Sequence, residues 1–404
     1  MDNFKTLVLA AFMVTLFLTT KSRGQDDPSG IVKSLNEVIV PITTMNPDSS
    51  FSDLAFLKKT LAERSIVSLG EATHGTKEFF VYKDRLIRFM VTELGFNAIA
   101  FESDFSTVQR LDDYINHKVD KLSGSYSGFP LLKETRSMLS WLRQYNQTRA
   151  TPDRVHLYGI EARGFNTISA SILASLNNLT AESKALLTRI RNTSYSTLTK
   201  KDIKEVQSIL PQLYQEAELH ETPLTRHYVT LLDQDVGHFL ERQFGKRDKY
   251  MAANVSWILE QKNTNKMIIW AHNGHLSKSS LFGKPSMGTY LYEKYKSKYF
   301  TIATDFSEGF VHIAVPKNGQ VSWENKYIPA VTTKNNYEYY FQQCKSPNFI
   351  IDISSLKDHQ VLTPFFSDKR VLRMVGATGG LIRTRLSILE NFDLIVFIKS
   401  TQAI

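Results

Sequence analysis

The sequence predicts an α/β fold with a mostly parallel central sheet and a helical insertion between two of its strands. Three observations predict it. Short apolar runs bounded by turn or polar residues recur along the chain and read as buried strands. Helical patterns separate most of these runs, and strand–helix–strand alternation builds a parallel sheet. Residues 166–262 break the alternation and hold no convincing strand.

Taken in order, residues 1–24 read as an export signal. Lys5 gives a basic start, Leu7–Leu18 an apolar stretch, and Ser22-Arg23-Gly24 a loose small-x-small pattern. The stretch is shorter than the ~20 residues of a membrane span. The protein is therefore expected to be exported, with no stable membrane association once the signal is removed. Residues 25–404 are read as one domain, opening with a lead-in and a first helix over 25–45. Strands are predicted at Ile66–Leu69, Ala98–Phe101, Val155–Tyr158, Met267–Ala271, Phe300–Thr304, Phe310–Val315, Phe349–Ile351 and Leu394–Ile398. Helices are predicted at Glu78–Leu94, ending at Gly95, and at Leu131–Tyr145. Inside the insertion, Ile168–Leu176, Ala181–Ile190, Ile203–His220, Arg226–Phe244 and Tyr250–Glu260 read helical. Pro211 is expected to break or kink the third, because its ring removes a backbone donor and crowds the preceding turn.

Of the 404 residues, 42% are hydrophobic, enough for a substantial core. The formal net charge is +9. Basic residues are interleaved with acids, as in Lys200-Lys201-Asp202 and Glu241-Arg242. No aromatic-spaced basic stripe stands out, so nucleic acid is not an expected partner. Cys344 is the single cysteine. It excludes an intramolecular disulfide and a multi-thiolate zinc site, and it reads as structural.

The chemistry gathers where strands end. Glu71 and His74 follow the first run, within Gly70-Glu-Ala-Thr-His-Gly75. Glu102 follows the second, Glu161 the third, and His272 and His275 the fourth. In open α/β sheets, ligands bind outside the carboxyl ends of the strands. A histidine there can take a proton from water, and a neighbouring carboxylate can fix its tautomer. A second histidine can donate to a developing oxyanion. Lys83 and Arg85, on the helix after the first motif, could reach back to the carboxylates or the substrate. Gly70 and Gly75 would allow a tight turn and close substrate approach. No Gly-x-Ser-x-Gly elbow exists for a serine nucleophile. His74, His272 and His275 with Glu71 or Glu102 also match zinc or iron on residue type, so a metal-binding reading stays open.

The chain resembles the erythromycin esterase family. The resemblance rests on Gly70-Glu-Ala-Thr-His-Gly-Thr-Lys-Glu-Phe-Phe80, on Leu86–Phe89 with Glu93-Leu94-Gly95-Phe96, and on Ala100-Phe101-Glu102. Arg247-Asp248-Lys-Tyr-Met-Ala-Ala-Asn254 resembles the helix before the second histidine motif. Trp270-Ala-His-Asn-Gly-His275 and Ser286-Met287-Gly288 follow in order. The similarity runs from about residue 35 to the C-terminus.

It implies a three-layer α/β/α fold and hydrolysis of the lactone ester of 14-membered macrolides, a macrolide-resistance activity. It also implies no metal or other cofactor. His74 matches the general base for water and Glu71 its neighbouring acid. Glu102, His272 and His275 match other active-site positions. Lys83 stands where the macrolide esterases can carry an arginine, which leaves it open whether Lys83 or Arg85 is the helping cation. Glu161, Arg247, Asp248 and Asn254 are expected to support the site. The helical insertion would supply an apolar wall for a large ring. Two rival readings remain: an esterase of another lactone or acylated saccharide, and a metal- or haem-binding uptake protein without turnover.

Overall fold

The computed structural model describes residues 28–404 except 123–128, 130, 220–221, 242–244, 262–263, 265, 281–282, 318–319 and 377–379. The export signal read at 1–24 lies outside the described residues. The strands in chain order are β1 (Val40–Pro41), β2 (Ile66–Glu71), β3 (Ala98–Asp104), β4 (His156–Glu161), β5 (Met267–His272) and β6 (Tyr299–Lys317). They continue as β7 (Gln320–Ile328), β8 (Asn348–Asp352), β9 (Arg370–Val375), β10 (Leu381–Leu386) and β11 (Leu394–Thr401).

Among the described residues, nine strands form one sheet in the order β1-β8-β11-β6-β2-β5-β3-β4, with β7 paired to β6 off that path. The strands from β11 to β4 are mutually parallel. β8 is antiparallel to β11, and β7 to β6. The fold is thus α/β with a mostly parallel sheet. Central strands of such a sheet are covered on both faces, which is why they read as unbroken apolar runs. Successive residues nonetheless face opposite layers. Val67 and Leu69 pack with Phe80 and Ile87 of the helix Lys77–Leu94. Ile66 packs in the opposite layer with Ile168, Leu187, Val206 and Val255.

That second layer is the insertion. Its helices Phe165–Ser175, Ala181–Arg191, Lys200–Glu218, Pro223–Glu241 and Lys246–Leu259 turn their apolar sides to the sheet. Pro211 does not break the third, which runs on from Lys200 to Glu218. Pro211 and Gln207 are both exposed, so the carbonyl left without its helical partner faces water. The runs Phe300–Thr304 and Phe310–Val315 are one strand, β6, rather than two. Its first half joins the sheet beside β2 and β11, and its second half continues beyond the sheet as a ribbon with β7. The polar Asp305–Glu308 between the runs is ladder, not loop. Sequence patterning also passed over β1, β7, β9 and β10, which are short or alternate with polar residues and lack a continuous apolar run.

Candidate active site

β2 lies directly beside β5, with Glu71 opposite His272 in register. β3 flanks β5 on its other side, and β4 flanks β3. The exits carrying Glu71, His74, Glu102, Glu161, His272 and His275 are therefore adjacent. The β3–β4 register shifts between Phe101 and Asp104, an irregularity that re-aims the side chains between them, Glu102 and Ser103.

Glu71 is buried and accepts three hydrogen bonds. His74 Nδ1 lies 2.6 Å from Oε1, Lys83 Nζ 2.8 Å from Oε2, and Trp270 Nε1 2.8 Å from Oε2. Burial opposes its charge, but Lys83 and His74 outweigh it and hold its pKa at about 2. Lys83 is buried too, with its ammonium 4.5 Å from the Trp270 ring centre. Burial lowers its pKa to about 8, against the pull of Glu71. The two shifts affect stability in opposite directions. Glu71 contributes stability that is present above pH 4.5 and lost as the pH falls toward 2. Lys83 costs stability below pH 8, and the cost fades as the pH rises to 10.5. With Nδ1–H given to Glu71, His74 keeps Nε2 without a hydrogen-bond partner among the described residues, and its side chain is 38% exposed. Burial pulls its pKa down, and the hydrogen bond and charge of Glu71 more than reverse this, so the net shift is upward.

The second cluster surrounds Arg247. Its guanidinium meets Glu102 Oε1 at 2.7 Å and Glu161 Oε2 at 2.5 Å. Arg163 adds a contact to Glu161 at 3.2 Å. His275 sits between two acids: Nδ1 is 2.7 Å from Asp248 Oδ1, and Nε2 is 3.2 Å from Glu102 Oε1. Nε2 is also 2.8 Å from Arg247 Nη1, a contact that would suit a neutral ring accepting from the arginine. Against burial and the charge of Arg247, Glu102 and Asp248 raise the pKa of His275 to about 9, which favours the imidazolium and would turn Nε2–H toward Glu102 rather than Arg247. Asp248 also accepts from Met287 N at 2.9 Å, which ties the histidine to the following helix.

His272 differs from both. Its Nδ1 accepts from Gly274 N at 3.1 Å, so the ring proton is on Nε2. Nε2 is buried and has no hydrogen-bond partner among the described residues. Burial, with the positive neighbours His74 and His275, drives its pKa down to about 3 and keeps the ring neutral. The His74 and His272 rings stand 5.2 Å apart. Glu102 ties His272 to the second cluster, because its Oε2 accepts from His272 N at 2.9 Å.

His74, Glu71, Glu102, Glu161 and Arg247 line a cleft of about 890 Å³. Its apolar wall is Phe80, Phe101, Phe129, Leu132 and Trp270, from the layer opposite the insertion. The expectation that the insertion supplies this wall is corrected: it offers mainly polar groups, Asn166, Thr167 and Ser194, together with Tyr195. Its apolar residues are committed to the sheet.

Arg85 is not brought to the site. It is fully buried on the far side of its helix, where it bonds Asp53 Oδ1 at 2.8 Å and Ser50 O at 2.6 Å. Two positions along a helix is a rotation of about 200°, so Lys83 and Arg85 cannot share a target. Asn254 is also remote from the reacting groups: it bonds Ile160 O and Gln234, each at 3.0 Å, and braces β4. Gly70 and Gly75 serve close packing of protein rather than of substrate. A Cβ on Gly70 would stand 2.1 Å from Asn273 Oδ1, and one on Gly75 1.9 Å from His312 O. Sequence reading did not single out Trp270, His312 or Trp323 as cleft residues. Trp270 was hidden inside an apolar run, and the other two lie on the ribbon. Among the described residues, no group of three or more His, Cys, Asp or Glu side chains is disposed to hold a metal ion. Cys344 is buried, which pushes its thiol up to about 12.

A half-exposed histidine, oriented by a buried carboxylate at the carboxyl edge of a parallel sheet, is equipment for acid–base hydrolysis. The chain belongs to the erythromycin esterase family, whose model matches residues 91–401; members of this family are esterases. The matched range starts past Glu71 and His74 and spans Glu102, Glu161, Arg247, His272 and His275. The chain is 25% identical to erythromycin esterase type II of Escherichia coli over 60% of its own length and 68% of that protein. It is 24% identical to erythromycin esterase type I of Escherichia coli, over 89% and 96%. Among solved structures it is similar to a succinoglycan biosynthesis protein, with a TM-score of 0.80 and 25% identity, covering 94% of this chain and 99% of that one.

Proposed function

We propose that the protein hydrolyses the lactone ester of a 14-membered macrolide such as erythromycin, with His74 as general base. The observation that carries this is the pairing of His74 Nδ1 with Glu71 at 2.6 Å, which leaves Nε2 free beside a cleft of about 890 Å³. Nε2 takes a proton from water as the water oxygen attacks the carbonyl carbon. The carbonyl π pair moves to oxygen, giving a tetrahedral oxyanion. Collapse breaks the C–O bond, and the leaving alkoxide takes the proton held by His74. Acid and alcohol remain on one opened ring, heavier by one water.

The other groups set the field. Lys83 holds Glu71 anionic. Glu102, Glu161, Arg247, Asp248 and protonated His275 form a fixed ionic wall that orients His272 through its backbone. Asn254 and Arg85 act on the scaffold. The two esterase relatives support the macrolide substrate. Export after signal cleavage and a role in macrolide resistance belong to the same proposal. Among the described residues, no helix is long and apolar enough to cross a membrane.

The test is incubation of the purified protein with erythromycin, followed by mass spectrometry for the gain of one water. No gain across a macrolide panel, with other esters cleaved, would remove the macrolide and keep the esterase. The likeness to a succinoglycan biosynthesis protein favours a second reading, an ester on an acylated saccharide. Release of acetate from acylated oligosaccharides would support it.

A further inference from the structure

The ribbon of β6 and β7 carries aromatic rings where a two-stranded ribbon ordinarily shows water polar groups. Its inner positions, Val311, Ile313 and Ile328, are buried in the main core. Its outer positions pair Phe310 with Tyr327, His312 with Asn325 and Ala314 with Trp323. Phe310, Trp323 and Tyr327 are 50%, 59% and 47% exposed. Alternation along an antiparallel ribbon puts polar residues on the solvated face, so a run of rings there marks a contact surface.

The rings lie in two pairs along this outer face, which together form an aromatic plate only in the sense of a shared surface. His312 and Trp323 stack with centroids 5.4 Å apart and planes 11° apart. Phe310 and Tyr327 follow, with centroids 5.2 Å apart and planes tilted by 60°. Polar groups lie among them: His312 Nδ1 is 2.7 Å from Asn325 Oδ1, and Tyr327 Oη donates to Glu308 at 2.6 Å. The plate also continues the cleft. His312 and Trp323 line it beside His74, and His312 N donates to Gly75 O at 2.9 Å, one residue from the base.

We infer that this aromatic plate binds a pyranose ring of the substrate while the ester sits at His74. This deepens the esterase reading and rests on it. A pyranose presents a flat face of C–H groups ringed by hydroxyls. The C–H face stacks on aromatic rings, and the hydroxyls need amide, imidazole and phenol partners at the rim. The outer face of the ribbon supplies that mixture. The sugar has two chemical sources: a glycosylated macrolactone or an acylated oligosaccharide.

The test uses the full chain and the double variant Phe310→Ser/Tyr327→Ser, both at exposed positions. Calorimetric binding is measured in a His74→Ala background, so that no probe is turned over, with erythromycin A, with its sugar-free aglycone and with an acetylated xylo-oligosaccharide; the turnover assay keeps His74. Turnover of 4-nitrophenyl acetate reports the hydrolytic centre. The double variant should lose about fivefold or more in affinity for a sugar-bearing probe, consistent with loss of aromatic stacking. Affinity for the aglycone and the rate on 4-nitrophenyl acetate should stay within about twofold of wild type. The sugar-bearing probe that responds identifies the source. Equal loss for erythromycin and aglycone would overturn the inference in favour of a lactone contact. So would no loss, no binding of either sugar-bearing probe, or a change in molar mass by light scattering that shows the plate covered by a second copy. Sugar binding that depends on the plate, in a protein that cleaves no ester, would instead refute the hydrolase reading and keep the plate.

Discussion

Two histidine–carboxylate clusters sit side by side at the sheet edge, and they engage their histidines differently. At the end of β2, His74 has one carboxylate partner and one free nitrogen, and Glu71 spends its remaining lone pairs on Lys83 and Trp270. At the ends of β3 to β5, His275 has a carboxylate at each nitrogen and is held as a cation. Between them His272 has no carboxylate on its ring and is held neutral by burial. Residue type does not assign roles here. The number of acids touching each ring does. One acid fixes a tautomer, two acids favour a cation, and none leaves a buried neutral ring.

The largest expected effect breaks the first cluster. His74→Ala should lower turnover of a cleaved ester by about 10⁴-fold, the upper end of the general-base range, with an unchanged far-ultraviolet circular dichroism spectrum. Retained turnover would show that the two clusters had been assigned the wrong way round. His272→Ala removes the neutral ring packed 5.2 Å from His74 and should lower kcat by less than His74→Ala does, with KM little changed. A rise in KM alone would make His272 a binding residue.

A smaller effect separates the cations. The charge of Lys83 lowers the pKa of His74, while Glu71 raises it. Wild-type kcat/KM should therefore rise with pH through a midpoint above 6.5, where His74 loses its proton. Lys83→Met should move that acid limb to still higher pH, because a positive neighbour has gone. A limb that stays in place or moves down would detach Lys83 from the base. Arg85→Met should leave the limb unmoved. It should instead destabilise the fold by about 3–5 kcal/mol, the cost of breaking a buried ion pair, read as a lowered denaturation midpoint. The smallest effect falls on the second cluster. Asp248→Asn removes one of the two acids on His275, so its pKa should drop from about 9, read by NMR titration of the ring. Unaltered titration would mean that Glu102 alone holds the charge.

Much of the sheet was legible because parallel strands buried on both faces must be apolar throughout. Ile66–Leu69, Ala98–Phe101 and Met267–Ala271 all fall within strands of the structure. The ribbon was harder. The alternating polar residues of β7 satisfy no burial pattern on their own, and β6 crosses a polar stretch because its ladder is completed by β11 and β7. The exits were found as separate motifs, yet Lys83 and Arg85 looked equivalent. Helical rotation sends one to Glu71 and the other to Asp53.

The sequence by itself determined the α/β class, the strand exits that carry acids and histidines, and the family motifs. These are local: each depends on burial period or on neighbours within one turn. The tertiary structure alone decided that β5 lies between β2 and β3, which sets Glu71 opposite His272 and brings Glu102 to the backbone of His272. It also decided which histidine has one acid, which has two and which has none. Those states follow from contacts across as many as 199 positions, as between Trp270 and Glu71. Burial and long-range pairing fix the charges, and neither is written in any single segment.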